Sequence, residues 1–199
     1  MLLTKISEIA EQVKELYPIP QNTVLHTTIN LIISQKIRFS SGRQIRQNVY
    51  QLINSKSDHG DHDQILRECT YDEWKTCGVP KAKIDTILEV CKVSPLTFES
   101  LAKIKGVGPW TIKALMIMTG TGTSAGRENV LLSEDLYIRK RISELCGLTS
   151  VLSSKDVENI SKKYCWTNLT QVSKFFWRIK PEGITTLLDG KELTRDHFV

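Results

Sequence analysis

Residues 105–109, Lys-Gly-Val-Gly-Pro, are of types that can grip an anion. They sit inside LAKIKGVGPWTIKALMIM, residues 101–118, where two helical patterns are joined by the turn Lys105-Gly106-Val107-Gly108. Glycine reaches left-handed backbone conformations and lets another backbone come close. Pro109 suits the first turn of a helix, where its missing N–H costs nothing. The second helix therefore points unpaired N–H groups out of a glycine-lined turn, which favours a phosphate oxygen. Lys103, Lys105 and Lys113 add positive charge around it. Taken alone, the same pattern is equally that of a tight helical hairpin with no ligand.

A second candidate is acidic. Asp135 follows the loop after the hairpin and opens a helical stretch. A carboxylate there can cap the helix and complement its dipole, and Ser133 is the alternative cap. A fixed anion can also serve a reaction that develops positive charge. His59, Asp61, His62 and Asp63 carry ligand types, but they crowd a polar loop without a supporting frame, so no metal site is expected.

These residues need elements to hold them, and the periodicity is helical throughout. Leu2, Ile6, Ile9, Val13 and Leu16 recur at three and four residues, up to Pro18 and Pro20. VLHTTINLIISQ, residues 24–35, is apolar enough for a core helix. A polar turn, Phe39 to Gly42, is expected before a helix from Arg43 to Ile53, followed by the loop SKSDHGDHD. Further helices are expected at 62–68, 70–77, 81–93, 96–104, 109–120, 134–146, 155–164 and 169–179. The stretch TGTGTSAGREN reads as a loop and residues 185–199 as a loosely packed tail. No segment alternates with period two for long enough to make a strand, so the fold class is all-α.

Composition agrees with an ordinary globular chain. The 199 residues are 40% apolar and 25% charged, with a net charge of +5, which is compatible with a polyanion partner without demanding one. No apolar run approaches a membrane span, and the first residues lack a signal layout, so an intracellular protein is expected. Cys69, Cys77, Cys91, Cys146 and Cys165 are scattered, odd in number and without a CxxC pair, arguing against disulfides or a zinc ribbon.

Five segments in order carry a resemblance. LxxIKGVGPWT resembles the helix-hairpin-helix of the DNA glycosylase superfamily that also has a Gly/Pro-rich loop and a catalytic Asp. LIISQKIRFSSGRQI (31–45) resembles its early core helix ending in Ser-Gln, and WKTCGVPKAKIDTILEV (74–90) its Gly-x-x-x-x-Lys helix. NVLLSEDLYIRKRI (129–142) resembles the Asp segment, with Leu132-Ser133 where the family often has Pro. YCWTNLTQVSKFFWRI (164–179) resembles the closing helix. The alkylpurine (3-methyladenine) branch is the closest match.

The resemblance implies one domain of two helical lobes with a DNA-contacting cleft between them, and a hairpin over about residues 96–120. No extra N-terminal domain of the kind some members carry is expected. The resemblance implies a base-excision repair enzyme, monomeric, acting at double-stranded DNA with a damaged base. Asp135 takes the catalytic position, where a carboxylate stabilises the oxocarbenium character of the sugar and activates water. Lys105, Gly106, Val107, Gly108 and Lys113 face the DNA backbone, and a monovalent cation on hairpin carbonyls near Lys105 or Val107 belongs to the same picture. Trp110 falls on the base-pocket side, where an aromatic ring suits a cationic alkylated base such as 3-methyladenine or 7-methylguanine. For Trp166, Phe175, Phe176, Trp177 and Tyr17 a core role is the better reading.

Gln35 and Lys36 match the loop that fills the gap left by a flipped base. With Lys36 in place of an apolar wedge, the filling falls to Gln35 or Ile37. Lys36, Arg38, Arg43 and Arg46, and also Arg139, Lys140 and Arg141, are expected as a basic rim. No iron–sulfur cluster is expected, because no cysteine follows Cys165. Resembling lyases carry their nucleophilic lysine two residues after the hairpin's last glycine. Here that residue is Trp110, which favours hydrolysis by a monofunctional enzyme, with Lys113 one turn on as the route to a bifunctional lyase. A non-catalytic helix-hairpin-helix DNA-binding module is the third reading.

Overall fold

The computed structural model describes residues 2–16, 22–56, 61–120 and 129–199. The chain forms two compact units, one from Gln21–Thr119 and one from Met1–Pro20 with Gly120–Val199. Helix α1 (Ile6–Gln12) belongs to the flanking unit. The middle unit then carries α2 (Val24–Ser34), α3 (Phe39–Lys56), α4 (His62–Glu68), α5 (Tyr71–Thr76), α6 (Lys81–Lys92), α7 (Phe98–Ala102) and α8 (Pro109–Thr119). The flanking unit resumes with α9 (Leu136–Leu145), α10 (Ser154–Lys163), α11 (Leu169–Arg178) and α12 (Pro181–Leu188). Among the described residues the only β pairing is an isolated bridge between Ile179 and Phe198, so the all-α expectation holds. No helix among them is long and apolar enough to cross a membrane.

The middle unit is organised around α2. Thr23 caps it, its hydroxyl accepting the His26 N–H at 3.1 Å. Leu25, Ile29, Leu31, Ile32 and Ile33 are all buried, because α3, α6 and α8 pack on different sides of the helix. The expected turn at Phe39 to Gly42 is instead the first turn of α3. Serines signal a turn locally, but Gly42 is buried and a Cβ on it would lie 3.2 Å from the Ile37 side chain. Close packing of the preceding loop therefore decides the start of α3.

In the flanking unit, α11 buries Val172, Ser173, Phe175 and Phe176 against α1 and α9. The tail expected to be loose is folded. Pro181 opens α12, whose Ile184 and Leu187 are buried, and α12 packs on α9. The last residues return to α11: Lys180 N–H donates to His197 O at 2.8 Å and Val199 N–H to Arg178 O at 2.9 Å. Phe198 is buried and meets Phe175 edge-on at 6.1 Å. Burial of one such ring stabilises by about 1.5–3 kcal/mol, to which the two backbone bonds add.

Candidate active site

The hairpin is built from local rules and then braced by its neighbours. Thr97 and Ser100 form a capping box at α7, and Lys103 ends that short helix. Ile104 N–H bonds Leu101 O and Val107 N–H bonds Ile104 O, both at 3.0 Å, which closes the turn. Gly106 has φ +97°, and a Cβ there would stand 2.4 Å from Thr86 Oγ1. Val107 is buried and anchors the turn. Gly108 differs: its backbone lies outside the left-handed region and a Cβ would meet nothing within 4 Å. The turn thus has a packed side at Gly106 and an open side at Gly108, where α8 begins.

Three side chains hold this shape in a role the sequence does not show: Thr86 and Lys83, for which the sequence gives no site role, and Gln35, which is expected to fill the gap of a flipped base. Thr86 Oγ1 donates to Lys105 O at 3.2 Å. Gln35 Nε2 donates to Gly106 O at 3.0 Å and to Thr111 Oγ1 at 2.8 Å. Lys83 Nζ donates to Ile33 O and Gln35 O, each at 2.7 Å, closing the end of α2, and burial lowers its pKa. Lys83 is the lysine of the Gly-x-x-x-x-Lys helix, but no sequence pattern states which carbonyls it reaches.

This geometry changes several expectations. The Gln35 amide is committed to the hairpin, and Ile37 packs against Gly42. Exposed on the same loop are Lys36, at φ 51°, and Arg38, and at the start of α3 Phe39 is 60% exposed. Of the expected rim, Arg46 donates to Ser34 Oγ at 2.6 Å, while Arg43 is exposed. Lys105 is exposed and Lys113 half-buried, whereas Lys103 pairs with Glu99 at 2.9 Å. Of the hairpin carbonyls, that of Lys105 accepts a bond from Thr86 and that of Gly106 one from Gln35.

Asp135 lies in the flanking unit. It is 8% exposed and forms the N-cap of α9, its Oδ1 accepting Tyr137 N–H at 2.8 Å and Ile138 N–H at 3.0 Å. The cap and the candidate catalytic group are the same carboxylate, since one oxygen is enough for capping. Its own N–H bonds Leu132 O at 3.1 Å. Ser133, the other cap candidate, is fully buried and donates to Glu158 Oε1 at 2.9 Å instead.

Also in this unit, Arg141 belongs to the interior and not to a rim. It pairs with Glu144 and lies 4.5 Å over the Tyr137 ring, reached because both are one turn away on α9. Arg139 donates to Leu152 O at 3.2 Å, while Lys140 is exposed. Phe175, Phe176 and Trp166 are core, and Trp166 Nε1 donates to Leu3 O at 2.8 Å. Trp177, and Trp110 of the middle unit, are half-buried. Tyr17 and His59 lie outside the described residues. Asp61 caps α4 and Asp63 accepts the Thr23 hydroxyl at 2.5 Å. Among the described residues no cluster could hold a metal ion.

The fold has counterparts among known proteins. No family model matches the chain. It is 26% identical over 180 residues to the alkylbase DNA glycosidase-like protein mag2 of Schizosaccharomyces pombe, covering 82% of this chain and 81% of the relative. The 3-methyladenine DNA glycosylase Mag1 of the same yeast, solved in complex with abasic DNA, superposes with a TM-score of 0.62 at 20% identity, over 88% of this chain and 93% of that one. The 3-methyladenine DNA-glycosylase of Archaeoglobus fulgidus gives 0.63 at 18% identity, over 88% and 69%. The fold and the order of the motifs are similar to those of the helix-hairpin-helix DNA glycosylases. The relatives and neighbours it is similar to carry alkylbase or 3-methyladenine glycosylase names.

Proposed function

We propose that this protein is a base-excision repair DNA glycosylase that hydrolyses the N-glycosidic bond of an alkylated purine in duplex DNA. The observation that carries the reading is the buried Asp135 carboxylate, held by two backbone N–H groups in the segment that matches the family's catalytic position. As the bond to the base lengthens, the sugar gains oxocarbenium character. A fixed anion in a dry setting stabilises it and orients the water that attacks the sugar. The turn at Gly108 and the start of α8 would receive backbone phosphate, with Lys105 and Lys113 beside it. Trp110 would face the extruded base, where its ring suits a cationic purine.

On this reading the enzyme acts as a monomer at intracellular DNA and uses no iron–sulfur cluster. Cys69, Cys77 and Cys91 are buried in the middle unit, Cys146 and Cys165 belong to the other, and no cysteine follows Cys165 in the sequence.

The test is Asp135→Asn. Asparagine also caps helices, so the fold should survive while the anion is lost. Release of base from methylated duplex should fall by about a thousandfold, with binding to abasic duplex retained. Near wild-type release by the variant would remove Asp135 from the mechanism.

A further inference from the structure

We infer that Ser173 is a positioning residue for Asp135: its buried hydroxyl sets the path of the segment that delivers the carboxylate. This rests on the reading of Asp135 given above. Ser173 is fully buried in the middle of α11. A serine inside a helix usually bonds back to its own preceding turn. Ser143 and Ser161 do so, donating to Arg139 O at 2.7 Å and Glu158 O at 2.8 Å. Ser173 instead turns outward: its Oγ donates to Val130 O at 3.0 Å and accepts Leu132 N–H at 3.0 Å. One hydroxyl thereby satisfies the carbonyl before and the N–H after Leu131, in a segment that has no strand neighbour among the described residues.

The neighbouring bonds run the same way. Thr170, three residues earlier on the same helical face, accepts Val130 N–H at 3.1 Å, and Asn129 Oδ1 accepts Leu169 N–H. Residues 129–132 are therefore read by side chains at one end and one face of α11. The next bond in the series is Leu132 O to Asp135 N–H, and Asp135 then caps α9. Removing the Ser173 hydroxyl leaves Val130 O and Leu132 N without that partner. The cheapest relaxation is a shift of this segment toward other partners, which moves Asp135. A displacement of about 1 Å in a catalytic group costs up to about a hundredfold in rate.

Ser143 supplies the control. It is also buried and accepts a loop N–H, that of Leu152 at 2.9 Å, but neither this bond nor its bond to Arg139 O reaches residues 129–135. Full-length Ser173→Ala, Thr170→Val and Ser143→Ala should be compared for single-turnover base release from methylated duplex, per folded molecule. Binding to abasic duplex and amide hydrogen exchange over residues 130–135 should be measured alongside. Ser173→Ala should slow release about ten- to a hundredfold with binding changed by less than about twofold, and should speed exchange over 130–135. Thr170→Val should do the same to a smaller extent, and it decides the matter if Ser173→Ala does not fold. Ser143→Ala should lower stability yet keep the release rate. Wild-type exchange over 130–135 in Ser173→Ala, or an equal loss of rate in Ser143→Ala, overturns the inference. If the wild-type chain releases no base, the glycosylase reading fails, while the exchange measurement still decides the positioning.

Discussion

Gly106 and Gly108 are two residues apart, and the structure assigns them opposite sensitivities. Gly106→Ala would force a Cβ onto a backbone at φ +97°, at a cost of about 1–3 kcal/mol. The new atom would sit 2.4 Å from Thr86 Oγ1, so Thr86 must rotate and give up its bond to Lys105 O, about 0.5–1.5 kcal/mol more. The total of about 2–4 kcal/mol corresponds to a fall in Tm on the order of 10 °C for a chain of this size. Gly108→Ala meets nothing within 4 Å and has no backbone penalty, so its stability should stay within about 0.5 kcal/mol of wild type. On the proposed reading its methyl group would stand where a phosphate approaches.

Thermal melts read the first effect, and fluorescence anisotropy with duplex DNA at several salt concentrations reads the second. Gly108→Ala should bind about tenfold more weakly whatever the lesion, with a shallower salt slope. Wild-type affinity in Gly108→Ala would take the open side of the turn out of the interface. Wild-type stability in Gly106→Ala would mean that the Thr86 contact does not hold the hairpin.

Two further outcomes are expected. Incubation with methylated duplex and sodium borohydride should give no covalent adduct, because Trp110 stands at the lyase position; an adduct lost in Lys113→Ala would establish lyase chemistry. Acid titration should expose the contact between α3 and α5, where the Lys56 ammonium, 2.5 Å away, and the Thr70 N–H hold the Glu73 carboxyl down to about 2. A depressed carboxyl contributes stability that is complete above its ordinary value of 4.5 and lost as pH falls toward 2. Wild type should therefore lose more stability than Glu73→Gln across that window, and identical acid curves would refute the pairing.

The sequence by itself determined what depends on neighbours along the chain. Helical periodicity placed most helices to within a few residues, Gly-x-Gly followed by Pro placed the hairpin, and an aspartate ahead of an amphipathic run placed the cap of α9. Each is a statement about backbone conformation within one or two turns, so local residue types suffice. The first turn of α3 and the folded tail escaped that reading. Ser40 and Ser41 carry turn signals, while Ile184 and Leu187 make only a one-turn apolar face and Phe198 stands alone until α9 and Phe175 supply their partners.

The bracing of the two candidate sites was likewise decided by tertiary structure alone. Gln35 reaches a carbonyl 71 residues away and Ser173 one 43 residues away. Their polar side chains look like surface residues or helix interruptions in sequence. Only packing shows that each buried carbonyl or amide must find a donor or acceptor, and that these are the ones within reach.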